Sequence, residues 1–174
     1  MAEALPGAAL LAFDATNAFN SLPRQTVLNA VGRRAPSLLP VANAWLTRPT
    51  MHVFWDNSGT PMPVSAQTGV DLGCPLSPAF FAVGIADALA RAHDRLQVLS
   101  PTSRLFPYLD DVLVVVPAAS AALAHDVVRE EMARAGLEFN ADKTQIFAPK
   151  KWIKKKLMEM NWVNFRSRRT YKKV

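Results

Sequence analysis

Apolar and polar positions follow two periods along this chain, and their succession predicts the elements. Gly7-Ala8-Ala9-Leu10-Leu11-Ala12-Phe13-Asp14 is a short apolar run that ends in an acid, the signature of a strand entering from its edge. Ser21 stands where a helix N-cap would, with Pro23 in the first turn. Val27, Leu28 and Val31 then recur at helical spacing as far as Arg34, before Pro36 closes the helix. A second helix is predicted from Ser37 to Leu46, carrying Leu38, Leu39, Val41, Ala42 and Trp45. Met51–Trp55 and Met62–Ala66 flank the turn residues Asp56-Asn57-Ser58-Gly59 and predict a hairpin. Ser77 followed by Pro78 predicts the start of a long helix to Gln97, with Phe81, Ile85, Ala88, Leu89 and Ala92 on its apolar side. Ser120 is expected to cap a further helix bearing Leu123, Val127, Val128 and Met132, with Gly136 as its left-handed C-terminal cap. Leu137–Phe139 and Thr144–Phe147 are short strand candidates around the turn Asn140-Ala141-Asp142. No internal repeat occurs.

Between the two long helices lies Phe106-Pro107-Tyr108-Leu109-Asp110-Asp111, followed at once by Val112-Leu113-Val114-Val115-Val116. The uncharged, β-branched run predicts a buried strand. Successive side chains on a strand face opposite sides, so two neighbouring aspartates fit best in a tight turn, with both carboxylates at its apex. An unpaired carboxylate is costly to bury. The doublet is therefore either an ordinary polar turn or a site that a cation meets, and Mg²⁺ suits one or two carboxylates completed by phosphates. The mixed order of strands and helices predicts an α+β fold, an antiparallel sheet with helices packed on one face. Such a fold would bring Asp14 to Asp110 and Asp111.

Composition adds a boundary. The chain has 174 residues and a formal net charge of +6, half of its residues are hydrophobic, and no apolar run approaches the roughly 20 residues of a membrane span. The apolar N-terminus lacks a basic segment and a cleavage-like boundary, so an entering strand is expected rather than a signal peptide. A lone Cys74 excludes an internal disulfide and suits a reducing, intracellular setting such as a nucleus or organelle. Residues 1–149 hold 10 Lys+Arg against 13 Asp+Glu, while residues 150–174 hold 10 against one, so the body carries −3 and the tail +9. His52, His93 and His125 lack metal-ligand spacing and are taken as surface or hairpin residues.

Three converging carboxylates repel one another unless cations lie between them. With two divalent ions roughly 4 Å apart they form a two-metal phosphoryl-transfer site. Here a resemblance becomes specific. Phe13-Asp14-Ala15-Thr16-Asn17-Ala18-Phe19-Asn20-Ser21, Gly69-Val70-Asp71-Leu72-Gly73-Cys74-Pro75-Leu76-Ser77-Pro78, Tyr108-Leu109-Asp110-Asp111 and Gly136-Leu137-Glu138-Phe139-Asn140-Ala141-Asp142-Lys143-Thr144 resemble, in order, four motifs of the reverse transcriptase palm. The forms of non-LTR retrotransposons and group II introns are the most similar. The resemblance covers residues 8–148 and implies an RNA-directed DNA polymerase palm. It implies Asp14 and Asp110 as principal metal ligands, Asp111 as the adjacent acid, and Mg²⁺ as cofactor, with Mn²⁺ as a substitute. It also implies Lys143 near the triphosphate as a proton donor to pyrophosphate, Phe19 as a steric gate against a ribose 2′-hydroxyl, and Gly69, Gly73, Leu72 and Tyr108 beside the incoming nucleotide. The alternative reading of Phe19 is an ordinary core residue, and that of Lys143 a solvated turn lysine.

The chain departs from the family at Leu72, where a Gln that holds the nucleotide is usual, and in the fingers and thumb regions expected on either side. The expected organisation is a palm over residues 1–149 and a basic, aromatic-containing tail over residues 150–174. In the tail, Lys150, Lys151, Trp152, Lys154, Lys155, Lys156, Arg166, Arg168, Arg169, Lys172 and Lys173 interleave cations with aromatics as nucleic-acid-binding segments do. A membrane-surface helix, a nuclear-targeting run and a frame-shifted end without function are alternative readings of the same residues. The expected partners are an RNA template or structural RNA, with other protein chains completing fingers and thumb; no membrane partner is expected. A palm retained without catalysis, as an RNA-binding scaffold in a ribonucleoprotein, is the alternative function.

Overall fold

The computed structural model of the chain describes residues 7–148. Residues 1–6 and 149–174, and with them the basic tail, lie outside the described residues. Six strands and five helices follow in the order β1 (Ala8–Asp14), α1 (Ala18–Ser21), α2 (Arg24–Arg34), α3 (Leu39–Leu46), β2 (Thr50–Trp55), β3 (Pro61–Ala66), α4 (Ser77–Leu99), β4 (Arg104–Tyr108), β5 (Asp111–Pro117), α5 (Ala121–Arg134) and β6 (Gln145–Phe147), with short 3₁₀ turns at Pro36–Leu38 and Ala118–Ser120. Strands β4, β5, β1 and β6 form one antiparallel sheet in that spatial order, and β2 and β3 form a separate hairpin.

The sheet buries one face. Leu11 and Phe13 of β1 and Val112, Val114 and Val116 of β5 alternate inward, against Val127, Val128 and Met132 of α5 and Phe81, Ile85, Ala88 and Ala92 of α4. The opposite face carries Asp14, Asp111, Leu113, Phe106 and Tyr108. The run Val112–Val116 is thus buried on one side only, since Leu113 lies 40 % exposed; with all helices on one face, alternation governs even an uncharged strand. The expected apolar position Leu123 is exposed as well.

The three expected serine caps do not form. Ser21 ends α1 and donates its hydroxyl to the Thr16 carbonyl (3.2 Å), and α2 begins after Pro23. Ser77 lies buried inside the first turn of α4, and Ser120 precedes α5 without a side-chain bond. In α4 and α5 the preceding residue already has helical backbone angles, because a turn winds directly into each helix, whereas a serine cap needs an extended N-cap. Gly136 does take the left-handed conformation past the last turn of α5, at φ 91°. Of the last two strand candidates only β6 forms; from Leu137–Phe139, Phe139 alone bridges Ala15.

Helices α4 and α5 are joined by a buried carboxylate. Glu131 is fully buried and accepts from Arg91 Nε (2.8 Å), Arg95 (2.8 Å) and Arg134 (2.6 Å). Burial pushes its carboxyl pKa up, but the guanidiniums of Arg91, Arg95 and Arg134 outweigh burial and hold it below the ordinary 4.5. Arg33 and Arg34 similarly hold Asp87, tying α2 to α4 and keeping that carboxyl below its ordinary value.

Glu131→Gln is therefore expected to lose about 2 kcal/mol of stability in urea denaturation at pH 7. The folded pKa of Glu131 lies below its unfolded value, so its contribution is complete above about pH 4.5 and disappears as pH falls through the folded pKa. The difference between wild type and variant should shrink correspondingly in acid.

Candidate active site

Strand pairing brings the acids together. In the β1–β5 register Asp14 lies directly opposite Asp111, and both stand on the face of the sheet away from the helices. Residues opposed across a strand pair have Cβ atoms about 5 Å apart, and like charges there destabilise the sheet. Asp110 precedes Asp111 in the two-residue loop between β4 and β5, which is closed by the pair Tyr108 and Asp111. The expected apex therefore holds Asp110 alone; Asp111 already belongs to β5. The loop is made possible by Leu109, whose φ of 53° is left-handed, a conformation that disfavours side chains. Leu109 packs against the core in compensation, leaving Asp110 exposed at the tip. Tyr108 is 77 % exposed beside it.

The fourth motif closes over the end of β1. The Asn140 amide donates to the Asp14 carbonyl (2.8 Å), and the Thr16 amide to the Glu138 carbonyl (2.8 Å). The Asn140 side chain accepts from the amides of Asp142 (2.9 Å) and Lys143 (3.3 Å), while its carbonyl accepts from the amide and hydroxyl of Thr144. This turn aims Lys143 back at β1, where its Nζ lies 3.5 Å from Asp14 Oδ1. Beneath the strand, Phe13 stacks on His125 (ring centroids 5.4 Å) and meets Phe139 in a tilted contact (4.8 Å). His125 is thus a packing residue under the site and not a surface one. Burial lowers its pKa, only partly opposed by Asp126.

The second motif is fastened to α1. The Val70 amide donates to the Phe19 carbonyl (2.7 Å), the Gly69 amide to the Leu22 carbonyl (3.1 Å), and the Thr68 hydroxyl to the Asn20 carbonyl (2.8 Å). Gly69 has φ 73°, and a Cβ there would lie 2.4 Å from the Asn20 backbone. The close approach made at Gly69 is thus to α1. Gly73 is left-handed too, at φ 90°, but faces open space, and Leu72 is 70 % exposed beside it. Phe19 is half-buried and stacks on Phe81 of α4 (4.5 Å, 12° between planes).

One residue of this region escaped the sequence reading. Arg24 is buried and donates from Nε to the Gly69 carbonyl (2.9 Å), from one terminal nitrogen to the Arg48 carbonyl (2.5 Å), and from the other to Thr50 Oγ1 (2.9 Å). A signal existed: a cation in the first turn of a helix opposes the macrodipole, and such local conflicts mark a tertiary role. His52 of the hairpin adds a second tie, its Nε2 lying 3.1 Å from Asp71 Oδ1.

The structure thus gathers Asp14, Asp111 and Lys143, with Asp110 one residue away, and separately joins Phe19 to the loop from Thr68 to Gly73. The hard oxygen donors at the strand ends suit a divalent ion of the Mg²⁺ type, which needs only one or two carboxylates beside phosphate and water. Among the described residues no group of three or more acidic, His or Cys side chains is placed to enclose a metal by itself.

Comparison with known proteins agrees with this architecture. The family described as reverse transcriptase (RNA-dependent DNA polymerase) matches residues 4–171. The retrotransposable element SLACS 132 kDa protein of Trypanosoma brucei gambiense is 32 % identical over 139 residues, which is 79 % of this chain and 11 % of that protein. Apo telomerase from Candida tropicalis, truncated from its C-terminal domain, superposes with a TM-score of 0.69 at 13 % identity over 84 % of this chain and 31 % of that one. Telomerase from Candida albicans, in complex with a fragment of telomeric RNA, gives 0.66 at 14 % identity over 84 % and 27 %. The chain therefore spans a small part of each relative.

Gly69→Ala should cost about 2–3 kcal/mol in chemical denaturation, because a left-handed backbone and a backbone collision coincide there. Gly73→Ala, with the same backbone constraint but open space, should cost only about 1 kcal/mol.

Proposed function

The chain belongs to the reverse transcriptase family, and from that premise we propose that it is the palm of an RNA-directed DNA polymerase, adding deoxynucleotides to a primer on an RNA template. One observation carries the reading above the rest: Asp14 and Asp111 are opposed across β1 and β5 on the open face, with Asp110 at the adjoining tip. A fold gains nothing from opposing two carboxylates in this way unless the site receives positive charge.

The proposed roles follow from position. Asp14 and Asp110, assisted by Asp111, would hold Mg²⁺, or Mn²⁺ in its place. When bound, the metal would lower the pKa of the primer hydroxyl and neutralise charge on the departing pyrophosphate. Positioning and charge neutralisation make up most of such catalysis. Lys143, held by the Asn140 turn within 3.5 Å of Asp14, stands ready to meet the triphosphate and to protonate the leaving group. Phe19, fixed by its stack on Phe81 and by its carbonyl bond to Val70, would press its exposed edge against the sugar and exclude a 2′-hydroxyl. Tyr108 and the loop Gly69–Gly73 would border the nucleotide and template. The cations and aromatics of residues 150–174 would contact nucleic-acid backbone and bases.

A second reading is favoured by Leu72, an exposed apolar side chain where the family carries a nucleotide-binding Gln. It is a palm kept as an RNA-binding scaffold.

Primer extension on an RNA template with Mg²⁺ and deoxynucleotides decides between them. The polymerase reading expects extension that falls at least about 100-fold in Asp110→Asn and less steeply in Lys143→Ala, with RNA binding unchanged in both. Absence of extension, together with salt-sensitive RNA binding that is lost on removing residues 150–174, would establish the scaffold.

A further inference from the structure

Arg24 opens α2 and is buried, yet its partners among the described residues are all neutral. They are the Gly69 carbonyl on Nε, the Arg48 carbonyl on one terminal nitrogen and Thr50 Oγ1 on the other. A cation at a helix N-terminus opposes the macrodipole, and burial without a counter-ion adds to the cost. Conflicts of this kind gather where function requires them.

The guanidinium holds one end of a single peptide plane. The Gly69 carbonyl and the Val70 amide belong to the same peptide unit, which is trans and so points them in opposite directions. On one side the carbonyl accepts from Arg24 Nε (2.9 Å), and on the other the amide donates to the Phe19 carbonyl (2.7 Å). Arg24 is thereby joined to the Phe19 backbone through a peptide 45 positions further along the chain. A bond from a cation is stronger than one from a neutral donor, and it polarises the plane so that the N–H at the far end donates better. Gly69, left-handed at φ 73°, puts little rotational resistance of its own on that plane. The preceding plane is held separately, by the Gly69 amide on the Leu22 carbonyl (3.1 Å). The contacts with Arg48 and Thr50 stop the guanidinium from turning and so fix the direction of Nε.

We propose that Arg24 is a positioning residue for sugar selection, acting at one remove from the nucleotide. Through the Gly69–Val70 peptide it holds the backbone of Phe19, and the inference rests on the reading of Phe19 as the residue that excludes a 2′-hydroxyl. The Phe19 ring has a second anchor in its stack on Phe81. Ring face and carbonyl together set where the ring edge lies. Release of the carbonyl anchor lets the edge shift, and a steric contact is lost over a small displacement.

The test is primer extension by the full chain, read as the ratio of kcat/KM for a deoxynucleotide over that for the matching ribonucleotide. Both terms scale with the fraction of folded molecules, so the ratio does not. Arg24→Met, which fills the space without a donor, should lower the ratio at least about tenfold. Arg24→Lys keeps the charge but cannot serve three acceptors from one plane, and should lower it about threefold. Glu131→Gln, which destabilises α4 and α5 without touching the loop, should leave it unchanged. Should circular dichroism show Arg24→Met to be unfolded, Arg24→Lys decides. Hydrogen exchange supplies a readout that needs no catalysis. The Val70 amide should exchange at least about tenfold faster in Arg24→Met and less so in Arg24→Lys, while the Asn140 amide, bonded to the Asp14 carbonyl, keeps its rate. An active wild type whose ratio is unmoved in the Arg24 variants overturns this proposal alone. So does a ratio that falls as far in Glu131→Gln, one fully restored by Arg24→Lys, or a Val70 amide indifferent to Arg24→Met. A wild type that extends no primer overturns the polymerase reading, and sugar selection with it.

Discussion

The pairing of β1 with β5 is the constraint on which the rest depends. Seven successive residues of each strand are matched, from Ala8 with Pro117 to Asp14 with Asp111. A shift by a single position would turn Leu11, Phe13, Val112 and Val114 out of the core. The apolar side of the sheet thereby sets the register, and the register sets the acids. Their placement on the open face is a by-product of what the buried face demands, and it is rigid for that reason: moving a carboxylate would require unpacking α4 and α5 from beneath.

Around this frame the positioning is done by polar contacts at strand ends and in loops. The Asn140 turn holds Lys143, the amides of Gly69 and Val70 hold their loop against α1, and Glu131 draws three guanidiniums across α4 and α5. Backbone atoms of the site are thus fixed by hydrogen bonds, whereas Asp110, Asp111, Leu72 and Tyr108 project outward with their side chains exposed. The scaffold is thus rigid beneath, and the acids are accessible from the open face.

Much of the fold was legible because its signals are local. The strand before Asp14, the hairpin around Asp56–Gly59 and the helix through Phe81 and Ile85 each follow from hydrophobic period and turn chemistry. The convergence of Asp14 with the Asp110-Asp111 doublet was legible at one remove, as the consequence of an antiparallel sheet. What escaped depends on partners distant in sequence. Ser77 and Ser120 carry the composition of caps, yet preceding turns wind into their helices. His125 resembles a surface histidine until Phe13 is laid over it. The closeness that Gly69 requires is to Asn20, forty-nine positions earlier in the chain, and the glycine-rich composition alone does not tell a neighbouring helix from a bound ligand. The basic tail was legible as charge and aromatics, and lies outside the described residues.

Arg24 has an effect that reaches beyond its own burial. Its contacts are two carbonyls and a hydroxyl, drawn from the Gly69 loop, the end of the α3 segment and the first residue of the hairpin. A planar guanidinium with several donors can satisfy three such acceptors at once, and a lysine cannot reproduce that geometry. Loop and hairpin are thus latched to a single side chain, so that displacement of either is transmitted to the other. Anything that leans on the hairpin therefore also leans on the loop that is bonded to α1.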